Sequence, residues 1–556
     1  MSGKGTGNER ARARMQTVSR RAFVRGVTGA GLSLAGAYLA ACGGGGGAAR
    51  STAQPAAQTT GAAAAVKTGG TLKLAYGLEP SSLDPHVGNS GGDDYYWYSM
   101  FDNLVAYDQK FVSQSDLSLA QKWEIADPTT IVFQIRPGVK FHDGTDFNAE
   151  VVKWNIERVL NPDVKSTARS FLLSIDRVET PDPLTARFVL KEPNAALMGL
   201  LGGRGGAMVS RAAVEKLGKE FGSRPVGTGP FQFVEWAPGD HVTVKKNPSY
   251  WGKDKNGVQL PYLDQVIYRI IPDPTVSFAN LTTGEVHLAG INPKDLAAAQ
   301  ANPDLTVVKR EGSGIASVMV ANLAKAPLDN ANLRRAVMWA LDPAAVNKAV
   351  YFDTAVVADA GMWAPGTWVY APVPSRPKHD PTKAKEYLRA GGAPDGFAFT
   401  MITYNTPILV QQAEIYQAQL AKVGIKATLE QRDVGAATSA FFTEGAFPLY
   451  STSWSLYPEP DWVGSNCYTS TGFYNPMKKP ITPELDDLVK KGRQTYDPEE
   501  RKKIYARINE IVLGEAYFVP MLYGTAFVGF RKPVQNTGTL FGGEAKWRLK
   551  ELWLKS

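Results

Sequence analysis

A strand–helix–strand pattern over residues 396–430 constrains the fold more than any other feature of this sequence. Alternating apolar residues predict a first strand that ends near Tyr404, and apolar residues at helical spacing follow it. A second alternating run begins after Gly424. Two strands joined by a helix over so short a stretch form a crossover connection, which requires parallel pairing. We therefore expect an α/β fold with a parallel segment in at least one sheet.

Helix starts are marked by a capping residue directly before a proline, a pattern typical of an N-cap followed by proline in the first turn. Gly391 and Gly424 stand where two of these helices should end, so each is predicted to be the left-handed terminal residue. A further helix is predicted over residues 149–159, and strands over residues 131–135 and 185–190. The capping pairs are Asp342-Pro343, Asp380-Pro381, Thr406-Pro407, Thr482-Pro483 and Asp497-Pro498.

Residues 1–41 predict a bacterial export signal. Seven basic residues and one acidic residue precede an uncharged apolar stretch of sixteen residues, which is shorter than the roughly 20 that a membrane-spanning helix needs. Residues 19–24 (Ser-Arg-Arg-Ala-Phe-Val) resemble a twin-arginine signal. Residues 39–42 (Leu-Ala-Ala-Cys) resemble a lipobox, which would make Cys42 the lipidated first residue of the mature chain. The Gly- and Ala-rich residues 42–67 then predict a flexible tether.

The charge of the chain is concentrated in this signal, which carries +6 of the formal +8. The remainder is close to neutral, so the sequence gives no support for nucleic-acid binding. Cys42 and Cys467 are the only cysteines. With Cys42 lipidated, Cys467 has no partner in the chain and no disulfide framework is expected. The length after the tether is enough for two or three domains.

No pattern in the sequence demands catalysis. None of the five histidines stands at metal-ligand spacing from another histidine or a cysteine, so we expect neither a metal nor a cofactor. A nucleophile elbow and a phosphate-binding loop are also missing from the sequence. Two aromatic segments do stand out near loops, residues 95–98 and residues 454–462. Aromatic walls with a few polar groups suit an enclosed small-molecule site, although an ordinary packed core remains an equal alternative.

Short motifs follow one another in a fixed order from Gly69 to the last fifty residues. The most specific is residues 119–124 (Leu-Ala-Gln-Lys-Trp-Glu) followed by residues 136–145 (Arg-Pro-Gly-Val-Lys-Phe-His-Asp-Gly-Thr). The others are residues 69–72, 80–86, 227–231, 247–252, 333–337, 340–342, 391–392 and 423–426. In this order they resemble the family 5 extracellular solute-binding proteins, which include the dipeptide-, oligopeptide- and nickel-binding proteins of ABC importers.

The resemblance implies a two-lobed, periplasmic-binding-protein-like α/β fold with mixed sheets, built in three parts that close on a ligand by a hinge motion. It makes His142 structural rather than a metal ligand. The parts it implies are lobe I from residues 68–104, 222–300 and 515–556, a small inserted domain over residues 105–221, and lobe II over residues 301–514.

The sequence departs from the family after Trp454. Dipeptide- and oligopeptide-binding relatives carry an aspartate shortly after this tryptophan, which pairs with the α-amino group of the ligand. Leu456 or Tyr457 occupies that position here. A buried ammonium without a carboxylate costs several kcal/mol, so peptides with a free N-terminus are disfavoured unless Glu459 or Asp461 substitutes. A sugar, an opine-like conjugate or a metal chelate could instead stack on Trp454 and Tyr457.

We therefore expect a protein that captures a small solute (peptide-like, opine-like or an oligosaccharide) outside the cytoplasm and delivers it to an ABC permease. It is expected to be a monomer held at the membrane by a lipid on Cys42, without nucleic acid as a partner and without enzymatic activity. An exported receptor- or chaperone-like binding module and an exported hydrolase are the alternatives. The predicted ligand contacts are Trp454, Tyr457, Glu459, Asp461, Tyr96, Tyr404 and Asn405.

Overall fold

The computed structural model describes residues 66–88, 92–108, 113–310, 315–455, 459–542 and 546–555. Cys42, the twin-arginine motif and Tyr457 lie outside these ranges, so the structure bears on none of the predictions made for them. Within the described ranges no helix is both long enough and apolar enough to cross a membrane.

The described ranges contain nineteen strands and fifteen α-helices. The strands are β1 (Thr71–Tyr76), β2 (Ala120–Asp127), β3 (Thr130–Ile135), β4 (Ile175–Asp182), β5 (Thr185–Leu190), β6 (Phe231–Ala237), β7 (His241–Lys246), β8 (Gln265–Ile270), β9 (Leu288–Gly290), β10 (Leu305–Arg310), β11 (Ile315–Ala321), β12 (Val356–Val357), β13 (Ala398–Tyr404), β14 (Lys426–Arg432), β15 (Leu449–Ser455), β16 (Phe518–Tyr523), β17 (Ala526–Arg531), β18 (Val534–Gln535) and β19 (Trp553–Leu554). The helices are α1 (Asp94–Met100), α2 (Ala149–Leu160), α3 (Arg169–Leu172), α4 (Leu197–Leu200), α5 (Arg211–Leu217), α6 (Pro274–Thr283), α7 (Leu296–Ala301), α8 (Ala331–Ala340), α9 (Pro343–Val350), α10 (Pro381–Ala390), α11 (Pro407–Ala421), α12 (Val434–Thr438), α13 (Pro460–Val463), α14 (Leu485–Gln494) and α15 (Pro498–Gly514).

The first large sheet has seven strands in the order β10-β17-β9-β1-β8-β7-β6. β1 pairs in parallel with both β8 and β9, and the other pairs are antiparallel, so the sheet is mixed. Its core includes Leu72 and Leu74 of β1, which pack with Tyr96 and Trp97 of α1. This sheet therefore buries one of the two aromatic segments singled out in the sequence.

The second large sheet has six strands in the order β12-β16-β11-β15-β13-β14. β13 and β14 pair in parallel from Ala398 opposite Lys426 to Tyr404 opposite Arg432, with α11 between them in sequence. The predicted strand–helix–strand crossover is thereby confirmed. β15, which carries Trp454, lies on the other side of β13 and is parallel to it.

A third sheet has four antiparallel strands in the order β2-β3-β5-β4 and its own apolar core, which includes Phe133, Phe188 and Ile156 of α2. It falls within the predicted inserted domain. The division into three parts stays a prediction, and sheet membership favours two shifted boundaries. β10 belongs to the seven-stranded sheet although it follows residue 300, and β16 belongs to the six-stranded sheet although it follows residue 515.

Four of the five predicted helix starts are confirmed, at Pro343, Pro381, Pro407 and Pro498. The fifth is wrong: α14 begins at Leu485, because the chain turns once more after Thr482. The Oγ1 of Thr482 is buried and has no hydrogen-bond partner among the residues described.

One of the two predicted left-handed helix ends is also wrong. Gly424 has a φ of +93°, as predicted, but after α10 the left-handed residue is Gly392 (φ +80°) and not Gly391. Gly391 serves close packing instead, because a Cβ there would lie 2.5 Å from Cδ2 of Leu333 on α8. The two glycines in succession thus have separate roles.

Candidate ligand-binding site

Trp454, near the end of β15, is the centre of a group of five aromatic rings that we call the Trp454 cluster. Its ring lies 4.8 Å from that of Tyr474, 5.3 Å from Phe518, 5.8 Å from Phe442 and 6.2 Å from Trp462. The first three contacts are edge-to-face, an arrangement that aromatic quadrupoles favour. Trp454 is only 8% exposed, so the cluster is an enclosed aromatic environment.

Parts of the chain that carry different sheets meet at this cluster. Phe171 of α3, which packs in the core of the four-stranded sheet, lies 6.1 Å from Trp462. Ala195 N donates a hydrogen bond to Arg493 O at 2.7 Å. Gly199 of α4 backs directly onto Glu459, since a Cβ there would lie 2.6 Å from Glu459 Cβ. The cluster therefore lies at the boundary between the part that carries the four-stranded sheet and the part that carries the six-stranded sheet. Relative motion of these two parts would open or close this boundary.

Glu459 is buried in an ion pair beside this boundary. Its Oε1 lies 2.6 Å from Nη2 of Arg501 and accepts a hydrogen bond from Asp461 N at 3.0 Å. The same guanidinium donates from Nε to Gly492 O and lies over the Trp368 ring. Burial raises the pKa of the Glu459 carboxyl, and the charge of Arg501 opposes that rise. The negative charge of Glu459 is thus already balanced by Arg501 within the protein.

Asp461 is engaged in the same way. Its two carboxylate oxygens lie 3.3 and 3.2 Å from Nε of Arg493, whose Nη2 also donates to Ser465 Oγ. Burial raises the pKa of the Asp461 carboxyl, and Arg493 opposes the rise. The charge of each carboxylate predicted from the sequence is therefore already balanced by an arginine.

Several buried polar atoms in or beside the core that contains Trp454 have no hydrogen-bond partner among the described residues. They are Nε1 of Trp454, Nε1 of Trp363, the hydroxyl of Tyr468 and both amide atoms of Asn509. An unsatisfied buried polar group costs about 1–3 kcal/mol, so such a concentration in one core calls for an explanation. An indole N–H can only donate, so the partners that these tryptophans lack are acceptors.

The remaining predicted contacts fall into two groups. Tyr404 ends β13 and packs in the same core as Trp454, with its ring 5.4 Å from Tyr450. Asn405 is exposed, and its backbone N donates to Arg432 O. Tyr96 lies elsewhere: it is fully buried in the core of the seven-stranded sheet, and its hydroxyl donates to Leu78 O at 2.6 Å. The structure therefore does not bring Tyr96 to the Trp454 cluster.

Sequence reasoning missed most partners of the site. Phe442, Tyr474 and Phe518 come from separate elements, and the arginines come from α14 and α15. Two five-residue π-helical turns, Ser439–Thr443 and Gly464–Tyr468, carry Phe442 and Tyr468. Such turns occur frequently at functional sites, but they leave no clear pattern in the sequence.

His142 and Cys467, which the sequence analysis considered for metal binding and for a disulfide, both pack within the protein. His142 is partly buried, accepts from Gly227 N and donates to Gly229 O, which joins two of the family-like motifs. Cys467 is a buried free thiol, and burial raises its pKa. Among the described residues, no group of three or more His, Cys, Asp or Glu side chains could hold a metal ion.

Comparison with known proteins places the chain in a class. Residues 116–475 match the family model of bacterial extracellular solute-binding proteins, family 5, middle region. The glutathione-binding protein GsiB of Salmonella typhi is 31% identical over 466 residues, which cover 81% of this chain and 88% of GsiB.

Solved structures agree in fold. The ABC transporter-associated periplasmic binding protein DppA from Helicobacter pylori, in complex with the peptide STSA, is 26% identical with a TM-score of 0.77, over 88% of this chain and 99% of DppA. The binding protein AgaA from A. tumefacien R10, in complex with agropinic acid, is 25% identical with a TM-score of 0.75, over 88% of this chain and 99% of AgaA.

The fold is thus that of a two-lobed periplasmic binding protein. The chain belongs to family 5 of the bacterial extracellular solute-binding proteins, as the sequence motifs predict. It is an extracytoplasmic protein that captures a solute for an ABC importer permease, and it is not an enzyme.

Proposed function

We propose that the Trp454 cluster is the ligand site, and that its ligand is a small, acceptor-rich, peptide-like solute whose α-amino group is blocked or conjugated. The observation that carries this proposal is the contrast between the polar groups around Trp454. The carboxylates of Glu459 and Asp461 are engaged by arginines, whereas the donors Trp454 Nε1, Trp363 Nε1 and the Tyr468 hydroxyl have no partner among the residues that the structure describes.

This contrast selects for acceptors on the ligand. A carbonyl or carboxylate oxygen would satisfy an indole N–H that is otherwise buried at a cost of about 1–3 kcal/mol. A free ammonium would instead need one of the two carboxylates, and would have to share it with Arg501 or Arg493, whose charge already balances it. The ligands named for relatives, glutathione, the peptide STSA and agropinic acid, support a small peptide-like or conjugated solute. They do not support the blocked α-amino group, which rests on the ion pairs of Glu459 and Asp461 alone.

The experiment is a calorimetric and thermal-shift titration of the full chain with a matched pair of ligands, Ala-Phe and N-acetyl-Ala-Phe. Glutathione and maltotriose complete the panel. At a hundred times its dissociation constant, a ligand stabilises the native state by about 2.7 kcal/mol. We expect the acetylated peptide to stabilise more than the free one. Trp454→Phe should weaken this response, because the indole donor is lost.

The control is Trp236→Phe, the same change at a tryptophan whose Nε1 donates to Glu79 in the seven-stranded part of the chain. It should leave the response unchanged. Stronger stabilisation by free Ala-Phe than by its acetylated form would show that the site supplies a carboxylate, and that our interpretation of Glu459 and Asp461 is wrong. Stabilisation by maltotriose alone would overturn the peptide-like class.

The finer localisation is also a proposal. A lipid on Cys42 with a tether to residue 67 would hold a monomeric binding domain at the outer face of the membrane, after export through the twin-arginine motif. The sequence pattern of residues 19–42 supports it. Cys42→Ser should move the protein from the membrane fraction to the soluble fraction, and Arg20→Lys with Arg21→Lys should retain it in the cytoplasm. Membrane retention of the Cys42 variant would contradict the anchor.

A further inference from the structure

A cavity of about 510 Å³ lies beside the six-stranded sheet, and none of the five rings of the Trp454 cluster lines it. Its walls come from the junction of α8 and α9, from β12, from residues 372–379 and from β16. Most of the lining is apolar and includes Met338, Leu341, Val357, Val519 and Met521. Its volume is within the range of small-molecule sites, roughly 300–1,000 Å³.

Arg376 is the polar group that sets this cavity apart. The residue is 5% exposed and lines the cavity. Its Nη2 donates to Pro520 O at 2.7 Å, whereas its buried Nε has no hydrogen-bond partner in the described part of the chain. Of the two acidic residues of the lining, Asp342 caps α9. Asp359 accepts from the Tyr370 hydroxyl at 2.5 Å and attracts the charge of Arg376, but only from beyond ion-pair distance. None of the described ion pairs includes Arg376.

The other deeply buried arginines of the described ranges do have counterions. Arg334 pairs with Glu515 at 2.9 Å, and Arg501 pairs with Glu459 at 2.6 Å. A buried charge without a partner is strongly unfavourable, which is why buried charges in proteins are paired. Arg376 is therefore an exception that a bound anion would remove.

We propose that this cavity is a second binding site, for a small organic acid whose carboxylate pairs with Arg376 and whose apolar body occupies the cavity. A guanidinium offers a planar fork of N–H donors that matches the two oxygens of a carboxylate. Lys378, exposed at the cavity, adds positive charge on the side open to solvent. The apolar walls favour an acid with a hydrocarbon chain over a bare inorganic anion.

Octanoate is the probe for this site. Calorimetric titration of the full chain should show binding of octanoate and none of octanol, which has the same chain without the charge. Arg376→Met should weaken octanoate binding by about 10- to 100-fold, which is the loss of one or two charge-assisted hydrogen bonds. The same variant without ligand should be at least as stable as the parent, because a buried unpaired charge has been replaced by an apolar chain.

Two further variants separate this site from the Trp454 cluster and guard against a folding defect. Val357→Trp should fill the exposed side of the cavity and abolish octanoate binding while Arg376 stays in place. Trp454→Phe should leave octanoate binding unchanged. Loss of binding in the Trp454 variant with retention in the Arg376 variant would move the anion to the cluster and overturn the proposal. Equal binding of inorganic phosphate would overturn the requirement for an apolar body.

Discussion

The two aromatic segments singled out in the sequence have opposite surroundings in the structure. In residues 95–98 the polar tips are satisfied: the Tyr96 hydroxyl donates to Leu78 O and Trp97 Nε1 donates to Asp94. Around Trp454 the indole N–H and the nearby Tyr468 hydroxyl are buried and have no partner within the described ranges. The first segment packs against the seven-stranded sheet, whereas the second receives contacts from a different part of the chain.

This difference teaches how a structural aromatic core can be told from a binding site. Aromatic area stabilises both regions in the same way, so ring content alone does not distinguish them. Unsatisfied polar atoms do distinguish them, because folding tolerates their cost only where something else, such as a bound ligand, supplies the missing bonds. The Trp454 cluster carries this unsatisfied polarity and the segment at residues 95–98 does not.

The largest effect should follow from breaking the ion pair beside the Trp454 cluster. Arg501→Met leaves the Glu459 carboxylate buried and unpaired, which should lower the free energy of unfolding by about 3–5 kcal/mol. Urea unfolding followed by circular dichroism measures it. Arg507→Met, on the same helix but in a half-exposed pair with Glu484, is the control and should change the stability much less. An Arg501 variant as stable as the parent would show that Glu459 is not held by this pair.

Lowering the pH should destabilise the protein through two histidines. One of them lies beside the region of residues 95–98, whose polar atoms are hydrogen-bonded. His86, in the loop before residues 95–98, is buried beside Arg158, and its pKa is lowered to about 4. Its Nδ1 accepts from Arg158 and its Nε2 contacts Ala207 O, so the folded state holds the neutral ring. Burial lowers the pKa of His142 to about 4 as well. An unfolded histidine titrates near 6.5, so the unfolded state binds more protons between pH 6.5 and 4.

The stability that these two histidines contribute is therefore fully present above pH 6.5 and is lost as the pH falls towards 4, by about 3 kcal/mol for each ring. Urea unfolding at intervals of pH measures the slope. His142→Gln should flatten the slope. His241→Gln is the control and should not flatten the slope, because the hydrogen bond to Asp240 raises the pKa of His241. Equal slopes in both variants would contradict this assignment.

The fold could be predicted from the sequence where local patterns decide it. The crossover of β13, α11 and β14 follows from periodicity and from Pro407 and Gly424, and the motif order identified the family. The site could be predicted only in part. Trp454, Glu459 and Asp461 lie together in sequence, but their arginine partners come more than thirty residues later on α14 and α15. In the sequence, Tyr96 and Trp454 both belong to aromatic segments near loops, so the sequence does not tell them apart. They differ in whether their polar atoms are hydrogen-bonded, and that depends on tertiary packing.

A smaller effect should come from blocking the boundary at the Trp454 cluster. A Cβ at Gly199 would lie 2.6 Å from Glu459 Cβ, so Gly199→Val is incompatible with the observed contact. Such overpacking costs about 1–3 kcal/mol, which should weaken N-acetyl-Ala-Phe binding by about tenfold or more and increase the radius of gyration in X-ray scattering. Gly290→Val, where a Cβ would meet nothing within 4 Å, is the control. Unchanged affinity would show that the contact is not required for capture.

The smallest effect is the most direct test of the comparison, because it removes one hydroxyl from each region. Tyr96→Phe breaks a hydrogen bond to Leu78 O and should lower the free energy of unfolding by about 1 kcal/mol, with no change in ligand binding. Tyr468→Phe removes a hydroxyl that has no partner among the described residues, so the ligand-free protein should keep or slightly gain stability. Its stabilisation by N-acetyl-Ala-Phe should fall, because the ligand loses a donor. If Tyr468→Phe instead destabilised the free protein as much as Tyr96→Phe does, both hydroxyls would be structural and the two aromatic regions would not differ in kind.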